Sequence, residues 1–326
     1  MTKKITYLLL IAGTLFFSSC QKNIDVFVPN GTTGPDTTWY ATVTSSMPLA
    51  SLQTNLLIEP VRDSVEISSS INTYLTTVSG IQCGFPPLCC VNTAGTPVTG
   101  RIQVELFVIR KKGDMVLMNK PTTSNGNMLV SAGEIFIRLK KDGQDITLAP
   151  GARITIRYSD LPVNSSMKLF FGEETSNGLF NWLPNNDTLL NTVGYAQQVY
   201  EITTNHLRWI NLDYLYDTAG IVRSTVSVRL PSNYTNANTT AFLVFKDLRS
   251  VIRMNADLTE KRFITSKVPA GKGAYIVVIS KQANDYFMAK ESITTGVNVT
   301  PGGNQPFSLT PVKTTLADIK TWLATL

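Results

Sequence analysis

The sequence predicts an all-β protein: two antiparallel β-sandwich domains in tandem behind a linker, with one short C-terminal helix. Three observations predict it. In segment after segment, apolar and polar residues alternate with a period of two, the spacing that puts one face of a strand on a core and the other in water. Turn pairs such as Asn125-Gly126 and Asp142-Gly143 separate those segments, and Asn-Gly or Asp-Gly tolerates the positive φ angles of a tight hairpin. Further turn signals recur at the short intervals typical of sandwiches.

At the N-terminus, Lys3 and Lys4 precede an uncharged, mostly apolar run from Ile5 to Phe17, which breaks at Ser18, Ser19 and Cys20. A membrane-spanning helix needs ~20 apolar residues to cross ~30 Å of hydrocarbon, so residues 1–19 are expected to be a signal peptide. Small residues before a cysteine mark a processing site. This one resembles the lipobox of bacterial lipoproteins, although Phe17 stands where many lipoboxes have Leu. The resemblance implies that Cys20 receives a diacylglycerol and becomes an acylated, palmitate-bearing N-terminus. The alternative is an ordinary secretory signal with an incidental Cys20. Acyl chains contribute ~0.8 kcal/mol per buried CH₂, so the expected partner of this end is a membrane and the expected location the cell envelope, at the outer membrane. Residues 20–37 are rich in Asn, Gly, Thr, Pro and Asp and keep no periodicity. They read as a lipidated linker.

Residues 38–205 are expected to form the first sandwich domain, starting near Trp39 with a short helix in "PLASLQTNLL". In "RIQVELFVI" Ile102, Val104, Leu106 and Val108 share one face, with Arg101, Gln103 and Glu105 on the other. In "EIFIRLK" Ile135, Ile137 and Leu139 oppose Glu134, Arg138 and Lys140; in "RITIRY" Ile154, Ile156 and Tyr158 oppose Arg153, Thr155 and Arg157. These read as antiparallel strands with one wet face.

Residues 206–326 are expected to form a second, Ig-like or carboxypeptidase-regulatory-like sandwich. Its strands are "STVSVRL", with Val226, Val228 and Leu230 inward, "TAFLVFKD" and "GAYIVVIS". The last is apolar on both faces, which suits a central strand. In "TTLADIKTWLATL" Thr315 can cap a helix, with Asp318 three residues on, and Leu316, Ile319 and Leu323 form one stripe.

The middle of the chain carries a likeness. Gly95, Pro97, Val98 and Gly100 lead into a strand; Asp114 and Met115 make a step; Thr122, Ser124 and Gly126 make a turn; Gly133 opens a strand; Met167, Leu169, Phe170 and Gly172 fall in another. Over residues 80–174 this resembles a β-sandwich segment of uncharacterised surface lipoproteins of the Bacteroidota, with Phe171 inserted before the final glycine. A further likeness, to the β-sandwich of ankyrins and netrin receptors, rests on "GFPPLCC". Turn glycines and core positions speak for fold and lineage and leave function open. Four Asp-Ser/Thr steps, at Thr37, Ser64, Thr188 and Thr218, resemble the short sites O-glycosylated in exported Bacteroidota proteins.

Composition narrows the chemistry. The 29 Lys and Arg lose Lys3 and Lys4 with the leader, which leaves a net charge near +4 against 23 acids. No basic block exceeds "RKK" at 110–112, so no nucleic-acid partner is expected. Outside the cytoplasm a cysteine pair usually forms a disulfide. Cys83 paired with Cys89 or Cys90 would staple the intervening turn, and buried thiols are the other reading. A Cys₃ metal site lacks a fourth ligand, and no metal or cofactor is expected. His206 is the sole histidine and no G-x-S-x-G elbow accompanies it. Asp114, Glu134, Glu173 and Glu174 are the acids open to carboxylate hydrolysis, and "VPAGKG" is a turn without phosphate-loop spacing. Trp39, Tyr40, Trp182, Trp209, Tyr214 and Tyr216 offer either core or a platform for sugar stacking. The expected function is therefore that of a non-catalytic structural or binding lipoprotein at the cell surface or in the periplasm, with an envelope protein or glycan as partner. A carbohydrate-binding surface lipoprotein is the first alternative and a glycoside or ester hydrolase the second.

Overall fold

Strand Asn127–Lys141 organises the computed structural model, which describes residues 36–174, 179–196, 198–216, 220–296, 299–300 and 303–326. The leader, most of the linker, Cys20 and Thr218 lie outside the described residues. The strand pairs antiparallel with Gly100–Ile109 on one side and with Arg208–Leu215 on the other. Both expected tight turns border it. Asn125 and Gly126 have φ of 50° and 76°, and Asp142 and Gly143 have 50° and 79°. Two successive positive φ values give the primed turn whose twist matches paired strands.

Ten strands form this first sheet. Its path runs Phe180–Pro184, Lys168–Glu174, Arg208–Leu215, Asn127–Lys141, Gln144–Leu148, Cys90–Val91 and Pro97–Val98, while Val61–Ile67 pairs with Gly100–Ile109. A five-strand sheet, Thr192–Ala196, Val199–Thr204, Ile154–Tyr158, Gln82–Phe85 and Thr73–Thr76, covers it. Between them Ile102, Val104, Leu106, Ile135, Ile137 and Leu139 meet Ile154, Ile156, Tyr158 and Ile202 in one buried cluster. The period-two reading of those strands is met on the core side. It fails at Glu134, which is fully buried although it faces away from that core, because the outer face of its strand is itself covered.

The second pair of sheets comes later in the chain. Asn255–Asp257, Arg262–Pro269, Arg223–Arg229 and Phe307–Ser308 make one; Val251–Arg253, Thr239–Phe245, Gly273–Gln282, Asp285–Thr294 and Val312–Thr314 make the other. Strand Gly273–Gln282 is paired along both edges. Its two apolar faces serve two cores: Ile276 and Val278 enter the cluster between the sheets, and Val277 and Ile279 enter a second cluster on the outside. That double burial is what its unbroken apolar run encodes.

Three helices build the outer cluster. Helix α1, Pro48–Leu56, starts with proline in its first turn and buries Leu49, Leu52 and Leu56. Helix α3, Leu316–Leu323, is capped as expected: the Thr315 hydroxyl accepts from the Asp318 N–H at 3.1 Å. Helix α2, Lys112–Leu117, which the sequence marks only as a step between strands, buries Met115, Val116 and Leu117. Each such aliphatic side chain contributes ~1.5–3 kcal/mol when removed from water, which suffices to fold a six-residue helix that has little stability alone.

The two sandwiches are not separated at residues 205/206. Strand Arg208–Leu215 is held on both edges inside the first ten-strand sheet, so the sheets change over after Leu215. At the other end Trp39 packs tilted against Phe263, with ring centroids 5.1 Å apart, and Tyr40 exchanges hydrogen bonds of 3.0 and 2.6 Å with Asn236. The opening segment therefore packs on the later sandwich, and Thr37–Leu326 is one compact unit.

Candidate functional site

The seam between the sandwiches is built on a phase change in strand Asn127–Lys141. Gly133, at φ 147°, opens a bulge where the register against Leu212 and Asp213 slips. One inserted residue shifts the alternation. Ile135, Ile137 and Leu139 face the first core, whereas Met128 and Val130 enter the core of the second sandwich. One strand thus belongs to both bodies.

Polar contacts then lock the seam. Thr122 is fully buried; its hydroxyl lies 3.0 Å from that of Ser250 and accepts from the Val251 N–H at 2.8 Å. Its own N–H donates to the Val251 carbonyl at 2.8 Å. The Trp182 indole N–H donates to the Pro121 carbonyl at 3.0 Å. Ser131 N–H donates to the Arg249 carbonyl, and the Arg249 guanidinium donates to the Ala132 carbonyl at 3.2 Å and to the Asp160 carboxylate at 2.8 Å. Lys120 is buried over the rings of Phe180, at 4.0 Å, and Trp209, at 5.0 Å. Burial lowers its pKa, opposed by Glu174 and Glu134.

Two acids sit at this seam. Glu134 and Asp213 are both fully buried, and both Glu134 oxygens and Asp213 Oδ1 lack a hydrogen-bond partner among the described residues. Burial pushes the Asp213 carboxyl up to about 7 against hydrogen bonds from Ser131 and Asn211 and the Arg249 charge. Burial and then the Asp213 charge raise Glu134, with Lys120 opposing. Both groups are closed off from the surface.

The surface opening at the seam is a trough of two lobes that share Leu179, Arg253 and Asn255. The larger, about 380 Å³, lies between Asn119, Thr123 and Asn181 of the first sandwich and Thr265, Ser266 and Lys267 of the second. The smaller, about 210 Å³, runs beside Tyr40, Asn236 and Phe263. Reciprocal hydrogen bonds of 2.8 and 3.0 Å tie Asn181 to the Asn125 turn and hold that wall. Arg253 and Lys267 are the charged residues among the described lining, which includes no acid, histidine or cysteine.

The residues singled out from sequence lie elsewhere. Cys83, Cys89 and Cys90 are free, buried thiols, so the expected disulfide is absent. Cys83 is held in strand Gln82–Phe85, where burial pushes its pKa up to about 12, while Cys89 and Cys90 place their sulfurs 3.6 Å apart. Hydrogen bonding from Cys90 lowers Cys89, and the same contact with burial raises Cys90. All three pack into the first core, where a thiol serves as a small apolar group. His206 stacks on Phe171 with centroids 3.8 Å apart, and burial lowers its pKa. Asp114 lies in α2, and Glu173 and Glu174 in strand Lys168–Glu174; none of these lines the trough. Among the described residues no group of three His, Cys, Asp or Glu side chains could hold a metal ion.

The six aromatics do not form one platform. Trp182 is fully buried, edge-on to Phe180 and Trp209; Trp209 stacks on Phe107; Trp39, Tyr214 and Tyr216 pack at the second core. Thr37 and Thr188 are exposed, and Ser64 is half-buried in a paired strand, where its hydroxyl accepts from Arg101 at 2.9 Å. Sequence reading missed Asp213, Arg253 and Lys267, which lie far apart in the chain and meet no motif. The phase break at Gly133 was the one available signal of the seam.

No protein-family model matches the chain, and no curated protein matches it. No helix among the described residues is long and apolar enough to cross a membrane.

Proposed function

We propose that this is a lipid-anchored envelope protein of the Bacteroidota surface-lipoprotein type, held at the outer membrane through Cys20, and that it works by binding without catalysis. The residues that support the anchor are Lys3, Lys4, the apolar run and Ser18-Ser19-Cys20. Linker residues 20–37 give the body reach from the membrane. The observation that carries the binding reading is the two-lobed trough, because ligand sites favour the seam where two packed layers of a protein meet. Its described walls offer amides, hydroxyls and two cations, and no carboxylate pair of the kind used in glycoside hydrolysis is among them.

Glycan capture is the reading of that binding role which the polar walls favour. O-glycosylation at Thr37 and Thr188 belongs to the same proposal, since both side chains are exposed. A Cys20→Ala protein is expected to lose palmitate labelling and leave the membrane fraction; labelling that persists removes the anchor. Turnover of a polysaccharide or ester substrate, abolished by one acidic substitution, would replace the binding role with hydrolysis.

A further inference from the structure

We propose that Asn125-Gly126 is a modification site, a latent point of deamidation that the side chain of Asn181 holds shut. The chemistry needs no enzyme. The Gly126 backbone nitrogen gives its proton to solvent base and attacks the Asn125 carboxamide carbon; a C–N bond forms, the Cγ–Nδ2 bond breaks, and ammonia leaves. Water then opens the succinimide ring at either carbonyl, which yields aspartate or isoaspartate. Asparagine is a thermolabile residue, and glycine is its most permissive successor, because no side chain screens the attacking nitrogen.

The turn presents both reactants to water. Asn125 and Gly126 are exposed at the tip of the hairpin that joins Thr123–Ser124 to Asn127–Lys141. Nothing lies within 4 Å of the place where a Gly126 Cβ would sit, so the nitrogen is unshielded on that side. The same dipeptide recurs at Asn30-Gly31 and Asn177-Gly178, outside the described residues. Isoaspartate at Asn125 would route the backbone through the side chain and lengthen a two-residue turn whose length fixes the hairpin register. That hairpin follows directly on Thr122, which bonds across the seam to Ser250.

A two-point latch from a residue 56 positions later restrains Asn125. The Asn125 N–H donates to Asn181 Oδ1 at 2.8 Å, and Asn125 Oδ1 accepts from Asn181 Nδ2 at 3.0 Å. One planar carboxamide thus grips both groups and draws the Asn125 side chain back towards its own N–H. Cyclisation needs the opposite swing, with Cγ brought to ~3–3.5 Å from the nitrogen that follows it. The latch is firmly seated. Asn181 stands on strand Phe180–Pro184 between Phe180 and Trp182, both buried, and the Trp182 indole is fixed to the Pro121 carbonyl at 3.0 Å. The donor on Asn125 Oδ1 is a neutral amide, so its activation of the carbonyl is weak beside the loss of attack geometry.

The test is peptide mass mapping of the purified full-length protein aged in mildly alkaline buffer, once native and once in urea, with isoaspartate methyltransferase labelling as a second readout. Mapping by peptide separates Asn125 from the other two Asn-Gly steps. Asn125 is expected to convert at least tenfold more slowly in the native protein than in urea. Asn181→Ala removes both bonds and is expected to raise the native rate at least fivefold while near-ultraviolet circular dichroism stays that of the parent. Asn181→Asp keeps the acceptor for the Asn125 N–H, loses the donor to Oδ1, and should fall between the two. Equal rates in native protein and urea, or a parental rate in Asn181→Ala, overturns the proposal. If Asn181→Ala fails to fold, Asn181→Asp decides, and a parental rate in that variant overturns it.

Discussion

The hydroxyls of Thr122 and Ser250 lie 3.0 Å apart across the seam, one from each sandwich, and the Val251 N–H donates to the same Thr122 oxygen at 2.8 Å. This contact is buried, so its groups have no water to fall back on. Thr122→Val keeps the shape and removes the acceptor, which leaves the Val251 N–H unpaired. The expected cost is ~1–3 kcal/mol. Urea unfolding should show a lower midpoint and earlier hydrogen exchange at Val251; an unchanged midpoint would sink the seam as a source of stability.

Asp213 and Glu134 set a pH dependence. Each is an acid whose folded pKa is raised, Asp213 to about 7. The folded state keeps protons that the unfolded chain has already released above about pH 4. The contribution of these groups is therefore complete at low pH and is lost as pH rises from about 4 towards 7, by at most ~1.4 kcal/mol per unit for each group. In Asp213→Asn the difference from the parent should grow in the variant's favour over that window. Parallel stability curves would refute it.

The thiols should be silent. Cys83, Cys89 and Cys90 are buried, and the reactive species is the thiolate. Iodoacetamide at pH 8 is expected to modify none of them in the folded protein and all three in denaturant. Modification of the native protein would show that the thiols are not sealed in the core, whereas an intact mass lower by two hydrogens would restore the disulfide that the structure lacks.

Gly113 in α2 touches the last turn of α3. A methyl group there would collide with the backbone carbonyl of Leu323, and backbone cannot rotate away as a side chain can. Gly113→Ala is expected to cost ~1–3 kcal/mol by overpacking and to release α3, seen as faster amide exchange over Leu316–Leu323. Wild-type exchange in that helix would show that the contact is dispensable.

Much of the first sandwich is legible in the chain because its strands have one wet face. Ile102, Val104 and Leu106 alternate cleanly against solvent-facing partners, and two positive-φ turns announce their own hairpins. Glu134 was misread because alternation marks which residues leave a core and carries no record of what covers the other side. Helix α2 was missed because six residues are too few to establish a helical period, and packing on α3 and the second sandwich supplies what local propensity does not.

By itself the sequence determined the all-β class, the hairpin turns, the capped terminal helix and the double-faced strand Gly273–Gln282, all of them properties set by neighbours a few residues apart. Tertiary structure alone decided that Trp39 and Phe263 meet, that strand Arg208–Leu215 lies inside the first sheet, and that Arg253 and Lys267 line one trough with Asn181. Those partners are separated by tens to hundreds of residues, and the bulge at Gly133, which turns one strand from the first core to the second, acts through register, which no local pattern specifies.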